Sequence, residues 1–157
     1  MPKERLKRRR LEAETYLAIE RALKQVKERM EARFTTEGLT DVTPQQAKLL
    51  MVLFHNSKGS MRASDLAKSL GVSAVTVARF LKNLEQKGWV ERTKSTEDAR
   101  ATSVIASEKA YETLPSFIRV SNLLMDEVFG AFDQEALEEF ANNVKQIQAK
   151  MTELPPL

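Results

Sequence analysis

The chain has 157 residues, 42% hydrophobic and 30% charged, with a net charge of +3, which suits a globular protein with a core in one domain or two small lobes. It has no cysteine and one histidine, which excludes disulfides, thiolate metal sites and thiol redox switching and leaves little for any metal centre. No apolar run approaches the ~20 residues that span a bilayer, and the N-terminus lacks a signal peptide's apolar core, so a cytoplasmic location without membrane contact is expected.

The charge is uneven. Residues 1–36 hold eleven Lys or Arg against six acids, residues 62–104 eight against five, and residues 105–157 four against nine. Cations gathered at one end favour a polyanion there. The densest basic run, KERLKRRR at residues 3–10, reads either as a solvated helix start or as an arm for phosphates. From there to Phe34 the pattern is helical: Tyr16, Ile19, Leu23, Val26 and Met30 step three, four, three, four. So narrow a seam calls for another helix, within the chain or across a dimer. Residues 34–42 read as a polar loop containing Gly38. Thr43-Pro44-Gln45-Gln46 then starts a helix: Thr43 caps, Pro44 suits the first turn and Gln46 completes a capping box. Ala47, Leu50, Met51 and Phe54 give this support helix its apolar face. His55, near its end, has no acid or Cys companion and reads as a surface residue rather than a ligand.

Residues 62–100, RASDLAKSLGVSAVTVARFLKNLEQKGWVERTKSTEDAR, form the centre of the chain. Leu66, Ala67 and Leu70 repeat at helical spacing and stop at Gly71, suited to the left-handed backbone that ends a helix. Ser73 caps a second helix with Val77, Phe80, Leu81 and Leu84 on one face, leaving Val75, Thr76, Arg79, Lys82 and Asn83 on the other. This order is a helix-turn-helix. After Lys87-Gly88, residues 89–92 and 101–105 read as short strands joined by an exposed tip that carries Lys94 and Arg100. Asp98 and Arg100, two apart, face one side of an extended segment, where the carboxylate can hold the guanidinium.

Beyond residue 107 a long helix to Phe129 is predicted, interrupted and kinked by Pro115, with Leu114, Ile118, Ser121, Met125 and Val128 inward. Gly130 ends it, Asp133 caps the last helix, and Leu137, Phe140, Val144, Ile147 and Met151 form a second narrow seam. The fold class is therefore mainly α with a small β wing. Residues 43–106 form a winged helix-turn-helix lobe, and residues 1–36 and 107–157 form a helical dimerisation lobe built from both ends.

The sequence resembles the MarR-type winged helix-turn-helix transcriptional regulators over residues 4–151. The family's Leu-Ala pair, Thr-Val-x-Arg stretch, Leu-Glu-x-x-Gly exit and Asp-x-Arg wing correspond in register to Leu66-Ala67, Thr76-Val77-Ala78-Arg79, Leu84-Glu85-Gln86-Lys87-Gly88 and Asp98-Ala99-Arg100. Two departures stand out. Ala74 and Val75 replace polar residues common before that Thr, trading base-edge hydrogen bonds for a thymine-methyl contact. Ala106-Ser107-Glu108-Lys109-Ala110 replaces the family's Leu-Thr-x-x-Gly, with Ser107 keeping the capping oxygen. The family pattern also implies a small strand at residues 60–62, and Ser64 reads as the cap of the helix after it.

The expected function is sequence-specific binding of double-stranded DNA by a homodimeric transcriptional regulator, with no cofactor and no catalytic constellation. Arg79 is placed on guanine O6 and N7 or, in a purely surface role, against Glu85 or solvent. Ser73, Val75, Thr76, Lys82, Lys94, Asp98 and Arg100 complete the expected DNA-binding set; Asp98 and Arg100 can equally form a structural pair, and Lys87 is a further phosphate contact. Tyr16, Ile19, Leu23, Leu137, Phe140, Val144 and Ile147 are the expected dimer contacts. The resemblance further implies repression and release by a small, often aromatic or anionic, effector; of the chain's own aromatics, Phe34, Phe54 and Phe117 read as pocket lining or, as is commoner for apolar residues at helical spacing, as core. The alternative is an architectural or protein-contact winged helix without strong sequence preference.

Overall fold

A computed structural model of the chain describes residues 2–94 and 102–156. In chain order these form α1 (Pro2–Thr36), α2 (Pro44–His55), β1 (Ser60–Arg62), α3 (Ala63–Leu70), α4 (Ala74–Gln86), β2 (Val90–Lys94), β3 (Thr102–Ala106), α5 (Glu108–Phe129) and α6 (Gln134–Glu153). The three strands make one antiparallel sheet of order β1-β3-β2. Val104 in the central strand is flanked by Met61 of β1 and Arg92 of β2. The chain divides into two compact units, one up to Val120 and the other from Ser121.

The core of the first unit is built around α2. Leu49, Leu50 and Leu53 from that helix, Leu66 from α3, Val77, Leu81 and Leu84 from α4, Trp89, and Val104 from β3 are all buried. The buried face of α2 is wider than a simple three-four stripe: Leu49 and Leu53 are enclosed, while Met51 and Phe54 are half-buried. Its start is as the sequence predicts. Gln46 N–H donates to Thr43 Oγ1 at 3.2 Å, and Thr43 N–H donates to Gln46 Oε1 at 3.0 Å. Replacing Thr43 with Ala removes the side-chain acceptor of the Gln46 N–H, and about 1 kcal/mol of unfolding free energy is expected to be lost. The measurement is the urea midpoint, which should fall with the slope unchanged, while Thr43→Ser should keep most of the stability.

Four sequence expectations change. The segment after Phe34 is no polar loop: α1 continues to Thr36, and Phe34, Leu39 and Val42 are buried in the core. Leu39 N–H returns to Phe34 O at 2.9 Å, a helix ending that Gly38, at φ 73°, permits. Ser64 does not cap α3. Pairing of Arg62 with Ser103 holds Arg62 extended, so the helix starts at Ala63 without a side-chain cap. Helix α5 runs continuously through Pro115. Its inner face is also turned by one residue: Ala110, Phe117, Val120 and Leu124 are buried, while Ile118 and Met125 are exposed. The cause is aromatic. The Phe117 ring lies 6.2 Å from Phe34 and 5.8 Å from Trp89, and this contact sets the rotation of the helix. Ser107 does cap α5, accepting from Ala110 N–H at 3.3 Å and donating to Gly88 O at 2.6 Å.

The end of α1 is tied to α5 by Arg119, which donates to the Glu37 carboxylate and holds that carboxyl below its ordinary pKa. In the second unit Asp133 Oδ1 accepts from Ala136 N–H at 2.8 Å, and the Phe132 ring packs at 5.8 Å from Phe140. Helix α6 has no buried residue.

Candidate nucleic-acid interface

The interface is built from one turn and one helix. Gly71 takes φ 65°, a left-handed conformation that costs glycine little, and reverses the chain after α3. Ser73 then caps α4: its Oγ accepts from Thr76 N–H at 3.1 Å and lies 2.9 Å from Thr76 Oγ1. With Val77, Leu81 and Leu84 buried, the rotation of α4 is fixed. Val75, Ala78, Arg79 and Lys82 face solvent, and Thr76 beside them is half-buried. A line of side chains at three- and four-residue steps is thereby presented along one face.

Arg79 stands over its neighbour Phe80, with its guanidinium carbon 5.7 Å from the ring centroid. Glu85, the partner that a purely structural role would use, is instead held by Arg92 Nε at 3.0 Å. Asn83 is withdrawn from the open face, because its Oδ1 accepts from Gln46 Nε2 at 2.9 Å. Lys87 is occupied too: its Nζ donates to Asp41 O at 2.9 Å. Lys94 is exposed at the end of β2. Asp98 and Arg100 lie outside the described residues.

Two supports of α4 have no local sequence signal. Gln46 uses both ends of its amide, one on the α2 cap and the other on Asn83, so the start of α2 is bonded to the later turns of α4. Lys109 closes the far end: its Nζ donates to Lys87 O at 3.0 Å and to Asp41 Oδ2 at 2.7 Å, and sits 4.2 Å from the Trp89 ring centroid. A cation at the carboxyl end of a helix is electrostatically favoured, and the ring face below adds to it.

The expected dimer residues are separate from this face. Tyr16, Ile19 and Leu23 on α1 and Phe140, Val144 and Ile147 on α6 are exposed in the single chain, while Leu137 is half-buried. The Tyr16 hydroxyl donates to Glu20 Oε1 at 2.7 Å, a bond that raises its pKa above the ordinary phenol value. Of the aromatics considered for a pocket, Phe34 and Phe117 are buried and Phe54 packs 5.1 Å from Tyr111. Among the described residues no group of three or more His, Cys, Asp or Glu is placed to hold a metal, and no helix is long and apolar enough to cross a membrane.

A helix-turn-helix flanked by the strands of a three-stranded antiparallel sheet, with the second helix presenting a solvated face, defines a winged helix-turn-helix protein. The MarR family model matches residues 42–102. The chain is 30% identical over 120 residues to the uncharacterized HTH-type transcriptional regulator YdgJ of Bacillus subtilis (strain 168), covering 72% of each. It is 22% identical over 105 residues to the transcriptional repressor MprA of Escherichia coli (strain K12), covering 67% of this chain and 60% of MprA. Its fold matches that of MepR in the S. aureus MepR–DNA complex with a TM-score of 0.77 at 19% identity, over 87% of this chain and 96% of that one. The protein belongs to the MarR family of transcriptional regulators.

Proposed function

We propose that the protein is a homodimeric repressor that reads a pseudo-palindromic operator and is released from it by a small molecule. The observation that carries this reading is the solvated line Val75, Ala78, Arg79 and Lys82 on a helix whose opposite face is fully engaged in the core. Such a helix enters the major groove, where Arg79 takes guanine O6 and N7 together. Ser73 and Thr76 at the helix start meet phosphate, Lys82 adds backbone charge, and Lys94, Asp98 and Arg100 act at the wing. Residues 43–106 form the reading lobe, and residues 1–36 with 107–157 the dimerisation lobe.

Dimerisation is supported by apolar surface that the single chain leaves open. Helix α1 extends about 50 Å at 1.5 Å per residue, and from Leu6 to Leu23 its large apolar side chains are exposed. Phe140, Val144, Ile147 and Met151 on α6 are exposed likewise. Pairing these seams across a two-fold axis sets two α4 helices one helical turn of DNA apart. The effector reading is supported by an open cavity of about 270 Å³ where α1 ends and α2 begins, lined by Phe34, Leu39, Val42 and Thr43 among others. A ligand there would act by favouring a helix spacing that does not match the operator. MprA, a transcriptional repressor, gives repression its support.

The test is selection of binding sites from random duplex DNA, with the mass of the protein measured in solution alongside. Enrichment of one inverted repeat with half-sites about one helical turn apart, bound by a dimer more weakly as salt rises, is the expected result. Recovery of unsorted DNA would replace this reading with the architectural one.

A further inference from the structure

The face that α4 presents is unusual in its chemistry. Between the capping pair Ser73 and Thr76 and the cation Lys82, its outward residues are Ala74, Val75, Ala78 and Arg79, and only Arg79 carries a hydrogen-bonding side chain. Val75 is 80% exposed, more than any other large hydrophobic residue among those described. It belongs to neither seam on α1 or α6 and lies off the buried face of α4, which is made by Val77, Leu81 and Leu84. A β-branched residue in a first helical turn gives no advantage in helix propensity. Folding therefore does not account for Val75, whereas contact with an apolar group outside the chain does.

In the major groove the one apolar group on a base edge is the methyl at C5 of a pyrimidine, present on thymine and on 5-methylcytosine. Val75 and Arg79 are one turn apart on the same face, about 6 Å along the helix axis. With bases about 3.4 Å apart along a strand, a side chain at Val75 falls within about two base steps of the guanine met by Arg79. Ala78 lies on the flank of this line and leaves the groove floor unobstructed. Building on the reading of Arg79 above, we propose that Val75 is a specificity-determining residue that reads a 5-methylpyrimidine within two base steps of that guanine in each half-site.

Once selection has supplied a duplex, each thymine near the guanine is replaced in turn by deoxyuridine, which removes only the methyl. For the wild-type protein, affinity is expected to fall about fourfold at one position per half-site, the value of one buried methyl. Val75→Ala should bind the unmodified duplex more weakly by a similar factor and lose the sensitivity to deoxyuridine. Exchanging the sensitive pair for C·G should weaken wild-type binding, and 5-methylcytosine at that site should recover about fourfold of the loss; recovery shows that the methyl is read on either base, and its absence restricts the contact to thymine. Because Val75 is exposed, Val75→Ala should unfold at the wild-type midpoint. A flat deoxyuridine scan with wild-type protein, or undiminished sensitivity in Val75→Ala, overturns the inference while leaving the regulator intact. Failure to select any duplex overturns the regulator reading and this inference with it.

Discussion

Arg79→Ala is expected to weaken binding to the selected duplex by about 5- to 150-fold, the range of one bidentate guanine contact. Binding to unrelated duplex should change little, so the loss is one of discrimination. Its salt dependence separates it from a phosphate contact: the slope of log affinity against log salt should stay near that of the wild type, whereas Lys82→Ala or Lys94→Ala should flatten it by about 0.9 for each phosphate no longer neutralised. The unfolding midpoint should not move, because the guanidinium is exposed and Glu85 is bonded to Arg92. An affinity unchanged by Arg79→Ala would remove the major-groove reading of α4.

Phe117→Ala is expected to produce the largest loss of stability, about 3–5 kcal/mol. The ring is buried and packs against both Phe34 at the end of α1 and Trp89 at the root of β2. Truncation leaves a cavity bounded by two rigid aromatic groups, which relax into it less than flexible side chains would. The measure is chemical unfolding followed by circular dichroism. Phe117→Leu should recover much of the loss by refilling the space. A midpoint near that of the wild type for Phe117→Ala would mean that the junction of α1, α5 and the sheet rests on other side chains. Ile118→Ala, one residue on and exposed, is the control and should cost little.

What is legible in the sequence is local. Gly71 and Ser73 lie within three residues of each other, and the spacing of Val77, Leu81 and Leu84 fixes which side of α4 is buried without reference to any other element. The caps at Thr43, Ser107 and Asp133 and the turns at Gly71 and Gly88 depend on similarly short separations. What is not legible depends on distant partners. Helix α5 has apolar residues on two adjoining stripes, so its rotation is decided by the fit of Phe117 between Phe34 and Trp89. Asn83 falls on the open face by helical pattern, yet Gln46, 37 residues away, holds it. Lys109 has the local surroundings of a surface lysine, and its role at the end of α4 depends on Asp41, 68 residues away. Leu39 and Val42 are hidden among polar neighbours in a short segment without periodicity. On the candidate interface, the exposure of Val75, Arg79 and Lys82 follows from the helical pattern, while the engagement of Lys87 by Asp41 does not.

The chain contains one tryptophan. Trp89 is buried, lies beside Phe117 and carries the Lys109 ammonium over its face, all at the root of the wing. Its emission, excited apart from the tyrosines, therefore originates from a single indole in the core shared by α2, α3, α4 and the sheet, and it should shift to the red only when that core opens to water. Ellipticity, in contrast, sums over every helix, including the long exposed length of α1. Heated together, the two signals act as separate thermometers, and a gap between their midpoints would give the temperature interval over which the terminal helices loosen while the core beneath the helix-turn-helix is still assembled.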